Sequence, residues 1–332
     1  MGNFIGDLVG QPTHRPQLPD PSLSLPLAKI GIEIEVEGWD GQRINSSLWQ
    51  DKEDHSLRGA SREFVTSGRG LVGLEISKAL EVFVDHAKSH GYTNGYPRAG
   101  IHVHLDVTDL DMESGQLASF VATYLLLEHV FFGYAGDWRN YCCYTVPMNL
   151  GQNDFASIGR ALFDKNLPNH HVVDLLSRCS KYQALNLECI TRYGTVEFRH
   201  LPTTFEYDRI FTWIRMILAV KAAALAQSGS LDPLSTLSRS GVHDFAIQVF
   251  GTDLYEKVAK YLDASEAWKA VDNAQLLMAH GNALGPTTSG SWEDISVEAS
   301  EVLKTKAKKI EKYRASRTNG KKSTAQTREE DY

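Results

Sequence analysis

Several short segments of the chain alternate apolar and polar residues, as a β-strand with one buried face does. The clearest are "KIGIEIEVEG" at residues 29–38, "GIHVHLDV" at 100–107 and "GTVEFRHL" at 194–201. Residues 45–68 predict two short strands with a loop at 58–61. "YQALNLECI" at 182–190 predicts a further strand, with a turn at 192–194 after it. The chain is therefore expected to contain a sheet with one polar face.

Apolar residues at helical spacing predict α-helices between and after these strands. The run at 117–136 is the most apolar, but Glu128 and His129 interrupt it, which favours a core helix over a membrane span. Strands come before residue 201 and helices after it, without β-α-β alternation, so an α+β fold with a largely antiparallel sheet is predicted. The predicted helices are 74–91, 117–136, 153–163, 170–179 and 207–227, with several more up to about residue 312.

Composition divides the chain into four predicted parts. Five prolines between residues 12 and 26 indicate an extended, loosely held leader at 1–27. Residues 28–228 form the core, 229–313 a helical region, and 314–332 a disordered charged tail. The basic stretch at 304–322 is interpreted as the end of a solvated helix, with an arm for an acidic partner as the alternative.

Charge and cysteine content argue against several classes of protein. A net charge of −7 does not suit a nucleic-acid binder or a membrane-surface protein. The four cysteines include no Cys-x-x-Cys pair, so neither a disulfide framework nor a thiolate zinc site is indicated. The first residues lack the basic and apolar regions of a signal peptide. These features predict a cytoplasmic protein in a reducing compartment.

Three predicted strands each carry two ionisable residues, two positions apart, on their polar face. Such residues lie roughly 6.5–7 Å apart on a strand. Taken singly, each of these pairs could belong to a solvent-exposed sheet face or to a surface ion pair. Taken together, carboxylates lining one sheet repel each other unless cations lie between them. Magnesium or manganese fits, because these ions take carboxylate oxygens and leave positions open for nucleotide phosphates. The pairs are Glu33 with Glu35, His102 with His104, and Glu197 with Arg199.

Five segments, in this order, resemble the putative amidoligase family, a branch of the carboxylate–amine ligases related to glutamine synthetase and glutamate–cysteine ligase. They are "GIEIEVEG", "EDHSLRGASREFVTSG", "GIHVHLDV", "KYQALNLECI" and "YGTVEFRHLPTT", and they span roughly residues 29–227. The resemblance implies an ATP-dependent ligase on a curved, largely antiparallel sheet of the glutamine-synthetase or glutamate–cysteine-ligase type. Helices would pack on the outer face of the sheet, and Mg²⁺ or Mn²⁺ would lie between the sheet and the ATP phosphates.

The resemblance also implies roles for individual residues. The implied metal ligands are Glu33, Glu35, Glu63, His102 and Glu197, with Asp54 as a further acidic candidate. The residues implied to bind ATP or substrate are His104, Lys181, Asn186 and Arg199. The implied catalytic residues are Arg199, which would contact the transferred phosphoryl group, Glu197 and Glu35. The segment "EDHS" at 53–56 departs from the family pattern, and Ser67-Gly68 stands where a proline is common.

Such a site would make an amide bond through an acyl phosphate. The substrate carboxylate attacks the γ-phosphoryl group of ATP, and an amine then displaces phosphate, while the protein positions groups and neutralises charge. The expected partners are small-molecule or peptide carboxylates and amines. The base that deprotonates the amine is left open among His104, His200 and Glu37.

Two other functions fit parts of the pattern. In a metal-dependent hydrolase, His102, His104 and a glutamate would bind zinc and activate water, although the glutamate-rich set argues against zinc. A non-catalytic binding protein on the same fold is the second alternative, although a scaffold has no need of clustered like charges. Oligomerisation is compatible with the sequence.

Overall fold

The alternating segments form a six-stranded sheet in which every pair of neighbouring strands is antiparallel, in the order β2-β3-β1-β4-β6-β5. The predicted α+β class and the antiparallel sheet are confirmed. The strands are β1 (Ile30–Glu37), β2 (Trp49–Lys52), β3 (Ser61–Thr66), β4 (Gly100–Asp106), β5 (Leu185–Asn186) and β6 (Thr195–Pro202).

The computed structural model describes part of the chain, all of it within one unit, Met1–Ala283. Several sequence predictions fall outside the described residues: Asp54, most of the loop at 58–61, the helix at 153–163, and everything after residue 277. The predicted domain boundaries stay predictions. The described residues are 4–13, 28–39, 43–53, 57, 61–68, 70–92, 99–136, 139, 142, 145–148, 168–177, 179–226, 232–261, 269–270, 272–275 and 277.

The helices pack on the apolar face of the sheet. Strand side chains of that face meet helix side chains directly: Phe64 lies 5.6 Å from Phe83, and Phe198 lies 5.6 Å from Phe131, between ring centroids. All four rings are fully buried. The helices are α1 (Ile5–Val9), α2 (Leu74–Ser89), α3 (Gln116–Ala135), α4 (Asn169–Ser177), α5 (Cys189–Tyr193), α6 (Tyr207–Ala226) and α7 (Asp232–Val258), the last interrupted at Gly241 and Gly251.

The most apolar helix, α3, is the centre of this helical layer. Its length and composition would allow it to cross a membrane, but 94% of its most apolar window is buried within the protein. The prediction of a core helix is therefore confirmed. Its Glu128 is accommodated because the carboxylate accepts hydrogen bonds from the Tyr124 hydroxyl (3.1 Å) and the Met148 backbone N–H (2.8 Å).

The segment at 182–190 differs from its prediction, because it does not continue as one strand. β5 ends at Asn186, whose side-chain oxygen accepts a hydrogen bond from the backbone N–H of Glu188 (3.0 Å) and bends the chain. α5 follows at once and ends at Gly194 in the left-handed conformation (φ 67°). The expected turn at 192–194 is thus the end of a helix.

Part of the predicted extended leader is helical. α1 packs on the rest of the fold through Ile5, which is fully buried. The backbone N–H groups of Ile5 and Gly6 donate to the carbonyls of Leu110 (3.2 Å) and Thr108 (3.0 Å). A five-residue helix is too short for its periodicity to be recognised in sequence, and residues 14–27 lie outside the described residues.

Gly194 is a position where only glycine fits, and its replacement by alanine should destabilise the fold. A Cβ there would lie 2.4 Å from Thr108 Cγ2, in addition to the left-handed backbone strain. Gly91 is the matched control, since its φ is also positive (81°) but a Cβ there would meet nothing within 4 Å. We expect a loss of roughly 1–2 kcal/mol for Gly91→Ala from backbone strain. Overpacking should add about 1–3 kcal/mol for Gly194→Ala.

Urea denaturation of both variants measures the difference. Equal losses of unfolding free energy would show that the chain at Gly194 relaxes away from Thr108.

Candidate active site

The register of the strands brings the predicted polar residues onto one face of the sheet. On β1 and β4, Glu33 is paired with His102 and Gly31 with His104. On β4 and β6, His104 is paired with Glu197, and Asn186 of β5 follows next to Glu197. The sequence could not fix these registers, since they depend on how distant strands align.

His102 lies at the centre of the cluster and contacts three glutamates. Its Nδ1 is 3.2 Å from Glu197 Oε1 and 3.6 Å from Glu33 Oε2. Its Nε2 is 4.0 Å from Glu35 Oε1. The histidine is 5% exposed, so these contacts are shielded from water. The predicted grouping of His102 with the glutamates is thus observed in space.

His104 and Glu33 form a second close pair. His104 Nε2 lies 3.3 Å from Glu33 Oε1, and its Nδ1 lies 3.2 Å from the hydroxyl of Thr195. Burial lowers the pKa of His104, but hydrogen bonds to Cys189 and Glu33 and the nearby carboxylate charges outweigh it and raise the pKa to about 10. Burial likewise raises the pKa of Glu33, but its hydrogen bonds to His102 and His104 prevail and hold it well below its usual value. In the metal-free protein this pair is therefore ionic at neutral pH.

Glu197 is almost completely buried and is surrounded by donors. The amide of Asn186 donates to its Oε2 at 2.7 Å, and Arg199 forms an ion pair with its Oε1. The thiol of Cys189 lies 3.7 Å from Oε2. Burial raises the pKa of Glu197, but the charges of His102 and Arg199 and the other neighbours outweigh it and lower the pKa.

Three of these residues have the geometry to hold one metal ion. Glu33, His104 and Glu197 can each offer one ligand atom, and these atoms lie within 4.8 Å of one another. Two carboxylates and an imidazole form a donor set that suits Mn²⁺ and accepts Mg²⁺. The sequence had placed His104 toward nucleotide and His102 at the metal; in the structure both histidines contact Glu33.

Glu35 and Glu63 extend the acidic face toward the other end of the strands. They are directly opposite each other on β1 and β3. Glu35 Oε2 accepts a hydrogen bond from the backbone N–H of Gly100 (2.8 Å), which stabilises its charge. Lys181 is exposed, and its ammonium lies 5.2 Å from the ring of Tyr182 rather than on the strands of the cluster.

Residues 74–221 match a protein-family model that is described as "putative amidoligase enzyme". Over these residues, somewhat less than half of the chain, the sequence is similar to the putative amidoligase family. The matched region includes β4 and β6, which carry His102, His104, Glu197 and Arg199. It supports an enzyme, and specifically a ligase. No curated protein matches the chain significantly.

A cleft of about 590 Å³ opens beside the cluster on the polar face of the sheet. Glu33 and His104 line it, together with Thr195 on β6. Two cations, Lys29 and Lys52, line the same cleft. The acidic cluster is therefore reachable by a ligand of moderate size, and the surrounding charges include both signs.

Arg139 supports the site but was not among the residues predicted from the sequence. Its guanidinium is buried and donates from Nε to the carbonyl of His200 (2.6 Å) and from Nη2 to the carbonyl of Arg199 (2.9 Å). It therefore fixes the backbone of β6 at the position of Arg199. Arg139 follows α3 outside any periodic pattern, so no local signal in the sequence could have identified it.

Of the three candidates for the general base, His200 is wrong. It is fully buried on the opposite face of β6, where its Nε2 lies 2.8 Å from the Tyr124 hydroxyl. Burial, with a smaller effect of the Arg139 charge, lowers its pKa well below 6.5. Side chains alternate between faces along a strand, so the neighbour of Arg199 could not share its face. His104 and Glu37 stay as candidates.

The ion pair of His104 predicts a pH dependence of stability in the metal-free protein. The pKa of His104 lies above its value of 6.5 in an unfolded chain, so its stabilising effect is complete below pH 6.5 and is lost as the pH rises through about 10. In EDTA, the unfolding free energy of the wild type should therefore fall over this range more steeply than that of His104→Gln. Chemical denaturation at a series of pH values measures both slopes.

The exposed His243 provides the control, because His243→Gln should keep the wild-type slope. Parallel curves for the wild type and His104→Gln would mean that His104 is not charged in the folded protein.

Proposed function

We propose that this protein is an ATP-dependent carboxylate–amine ligase of the amidoligase type that acts through an acyl phosphate. The observation that carries the proposal is the shared sheet face, where a metal-competent trio lies next to an arginine. That trio is Glu33, His104 and Glu197, and Glu197 is paired with Arg199. The family match supports the ligase class.

The reaction consists of two transfers. The substrate carboxylate oxygen attacks the γ-phosphorus of ATP, the bond from that phosphorus to the bridging oxygen breaks, and ADP leaves. The amine nitrogen then attacks the acyl carbon, its proton passes to a base, and inorganic phosphate departs. Bound Mg²⁺ or Mn²⁺ would neutralise phosphate charge. The donor set of Glu33, His104 and Glu197 fits such an ion.

Arg199 is suited to hold the phosphoryl group during transfer. Its planar guanidinium presents paired donors that match phosphate oxygens. It is mostly buried, with 18% of its side chain exposed, and Arg139 fixes its backbone through the carbonyl of Arg199. A preorganised donor of this kind needs little reorganisation in the transition state. In the proposed complex, its pairing with Glu197 would be exchanged in part for phosphate.

Glu35, Glu63 and His102 form the other part of the proposed metal-binding face. Glu35 is held by the Gly100 N–H, and His102 contacts Glu33, Glu35 and Glu197. Glu35 and Glu63 are partners across β1 and β3, and their carboxylates would offer oxygen ligands to a second ion. We keep the proposed substrate-binding roles of Lys181 and Asn186. In the structure, the amide of Asn186 donates a hydrogen bond to Glu197.

Further parts of the proposal concern the fold and the setting of the enzyme. An antiparallel sheet with helices on one face agrees with the glutamine-synthetase and glutamate–cysteine-ligase architecture. We propose small-molecule or peptide carboxylates and amines as substrates, and a cytoplasmic location. Among the described residues, Cys142, Cys179 and Cys189 are not joined in disulfides.

A metal-dependent hydrolase is the second candidate, because the trio of Glu33, His104 and Glu197 includes an imidazole. A metal-bound water would then be the nucleophile, and ATP would play no part. A screen for ADP release with pooled carboxylic acids and amines separates the two functions.

Stabilisation by ATP should require a divalent metal. The phosphates cannot approach Glu33 and Glu197 without a cation between them, so ATP should raise the melting temperature only with Mg²⁺ or Mn²⁺. ATP at about 100 times its dissociation constant would add roughly 2.7 kcal/mol. Differential scanning fluorimetry with and without EDTA measures the shift. Glu33→Gln should lose the shift, whereas Glu113→Gln, at an exposed site before α3, should keep it.

The same shift in EDTA as in Mg²⁺ would contradict the proposed metal site. A shift that survives in Glu33→Gln would remove Glu33 from it.

Replacement of Arg199 by lysine should slow phosphoryl transfer while ATP affinity stays nearly normal. Lysine keeps the charge but loses the paired donors. Loss of one preorganised donor typically costs about 10²–10³ in rate. Single-turnover ADP formation and equilibrium ATP binding measure the two effects separately.

Arg215→Lys is the matched control, since Arg215 pairs with Asp253 (2.7 Å) in the helical layer. It should leave both quantities unchanged. If Arg199→Lys forms ADP at the wild-type rate, Arg199 does not contact the transferred phosphoryl group and serves only as the ion-pair partner of Glu197.

A further inference from the structure

Tyr193 is an exposed aromatic residue next to the metal-competent cluster. It is 60% exposed, although a tyrosine of a folded protein usually buries most of its ring. It lines the cleft together with Glu33 and His104. Its ring meets that of His104 edge to face, with 6.2 Å between centroids and an interplanar angle of 85°. One aromatic surface is thus offered to the cleft, close to a proposed metal ligand.

The backbone around Tyr193 is firmly anchored. Tyr193 is the last residue of α5, and the next residue, Gly194, donates its N–H to Ile190 O (3.0 Å) and accepts from the Val107 N–H (2.9 Å). Gly194 also lies so close to Thr108 that no side chain would fit. The ring is therefore presented by a fixed turn, and such a platform loses little entropy when a ligand stacks on it.

The other walls of the cleft indicate the charge of that ligand. Lys29 and Lys52 line it and can pair with the negative groups of a ligand. The carboxylates of Glu33 and Asp106 line it as well, so an anion would also need a metal ion, for which Glu33 and His104 offer ligand atoms. A ligand that uses all of these features carries a planar ring at one end and a metal-binding polyanion at the other. A nucleoside triphosphate has this chemistry, whereas a simple carboxylate or amine has no ring to place on Tyr193.

We propose that Tyr193 is the platform on which the adenine ring of ATP stacks, with the triphosphate directed toward Glu33, His104 and the lysines. This inference rests on the proposed ligase function, and it adds the location of the nucleotide within the site. It assigns the cleft between the β2–β3 strands and the end of α5 to ATP. The carboxylate and amine substrates then approach from the opposite end of the cluster, near Glu35 and Arg199.

The experiment compares two ligands that differ by the ring. Binding of ATP and of inorganic tripolyphosphate, each with Mg²⁺, is measured by calorimetry for the wild type, Tyr193→Ala and Tyr193→Phe. Tyr193→Ala should weaken ATP binding roughly 10- to 100-fold, the range expected for loss of base–aromatic stacking. Its tripolyphosphate affinity should stay within about twofold, which also shows that the metal cluster is intact. Tyr193→Phe should bind both ligands as the wild type does.

Tyr182 provides the matched control. It is another exposed tyrosine (43%) on the same stretch of chain, but it does not line the cleft. Tyr182→Ala should therefore leave both affinities unchanged.

The outcomes separate the inference from the function on which it rests. If the wild type binds ATP and Tyr193→Ala binds it with the same affinity, the stacking role is overturned while the ligase proposal stands. The same conclusion holds if Tyr193→Ala loses affinity for ATP and for tripolyphosphate by the same factor. A loss in Tyr193→Phe equal to that in Tyr193→Ala would replace stacking by a role of the hydroxyl group. If the wild type binds neither ligand with Mg²⁺, the ligase proposal and the inference both fail.

Discussion

The structure depends on compensation of negative charge on one face of the sheet. Glu33, Glu35, Glu63 and Glu197 lie on this face, and the side chains of the opposite face are buried against helices. Within the described residues, part of the compensation comes from the protein itself: His104 pairs with Glu33, Arg199 pairs with Glu197, and His102 lies between them. These contacts hold the pKa values of Glu33 and Glu197 low in spite of burial. A metal ion held as proposed by Glu33, His104 and Glu197 would take over part of this compensation, and His104 would have to lose its proton to bind it.

The helical layer makes this arrangement rigid. β6 carries Glu197 and Arg199 on one face, and on the other it places His200 against Tyr124 and Arg139. The Tyr124 hydroxyl meets His200 Nε2, and Arg139 donates to the carbonyls of Arg199 and His200, so these buried contacts fix the position of the strand as well as its packing. In the proposed phosphoryl transfer, Å-level geometry would matter, because a protein contributes mainly orientation and charge to such a step. The amidoligase match ends at Lys221, whose buried ammonium contacts Asp109 and the carbonyl of Asp106 at 2.6 Å. That contact ties α6 to the end of β4, the strand that carries both histidines.

The site has two distinct ends. One end opens into the cleft with Glu33, His104, Tyr193 and two lysines. The other contains Glu35, Glu63 and Arg199, close to the Gly100 N–H that binds Glu35. The proposed ligase would bring ATP, a carboxylate and an amine to a common centre, and His102 and Glu197 lie between the two ends. The proposed division places the nucleotide on one side and the groups to be joined on the other.

The sequence by itself determined the face on which each polar residue lies. Strict alternation at Glu33, Glu35, His102, His104, Glu197 and Arg199 leaves no choice, because residues two apart on a strand share a side. Alternation also predicted β1, β4 and β6, and the long apolar run at 117–136 predicted the core helix α3. It did not determine which residues would meet, since contacts such as His102 with Glu197 depend on the register and order of strands far apart in the chain.

Only the tertiary structure decided the remaining features of the site. His104 proved to be the histidine of the metal-competent trio, His200 was buried by the helices, and Arg139 reached the backbone of β6 from an aperiodic segment. The sequence pattern predicts a strand and a turn where the structure has α5, which ends at Tyr193. The Asn186 side chain bends the chain there through a local hydrogen bond, and such a bond leaves no trace in the apolar periodicity. The local sequence pattern sets the face of a strand from which a side chain projects. The distances between side chains of different elements, and their burial, depend on how those elements pack in the whole fold.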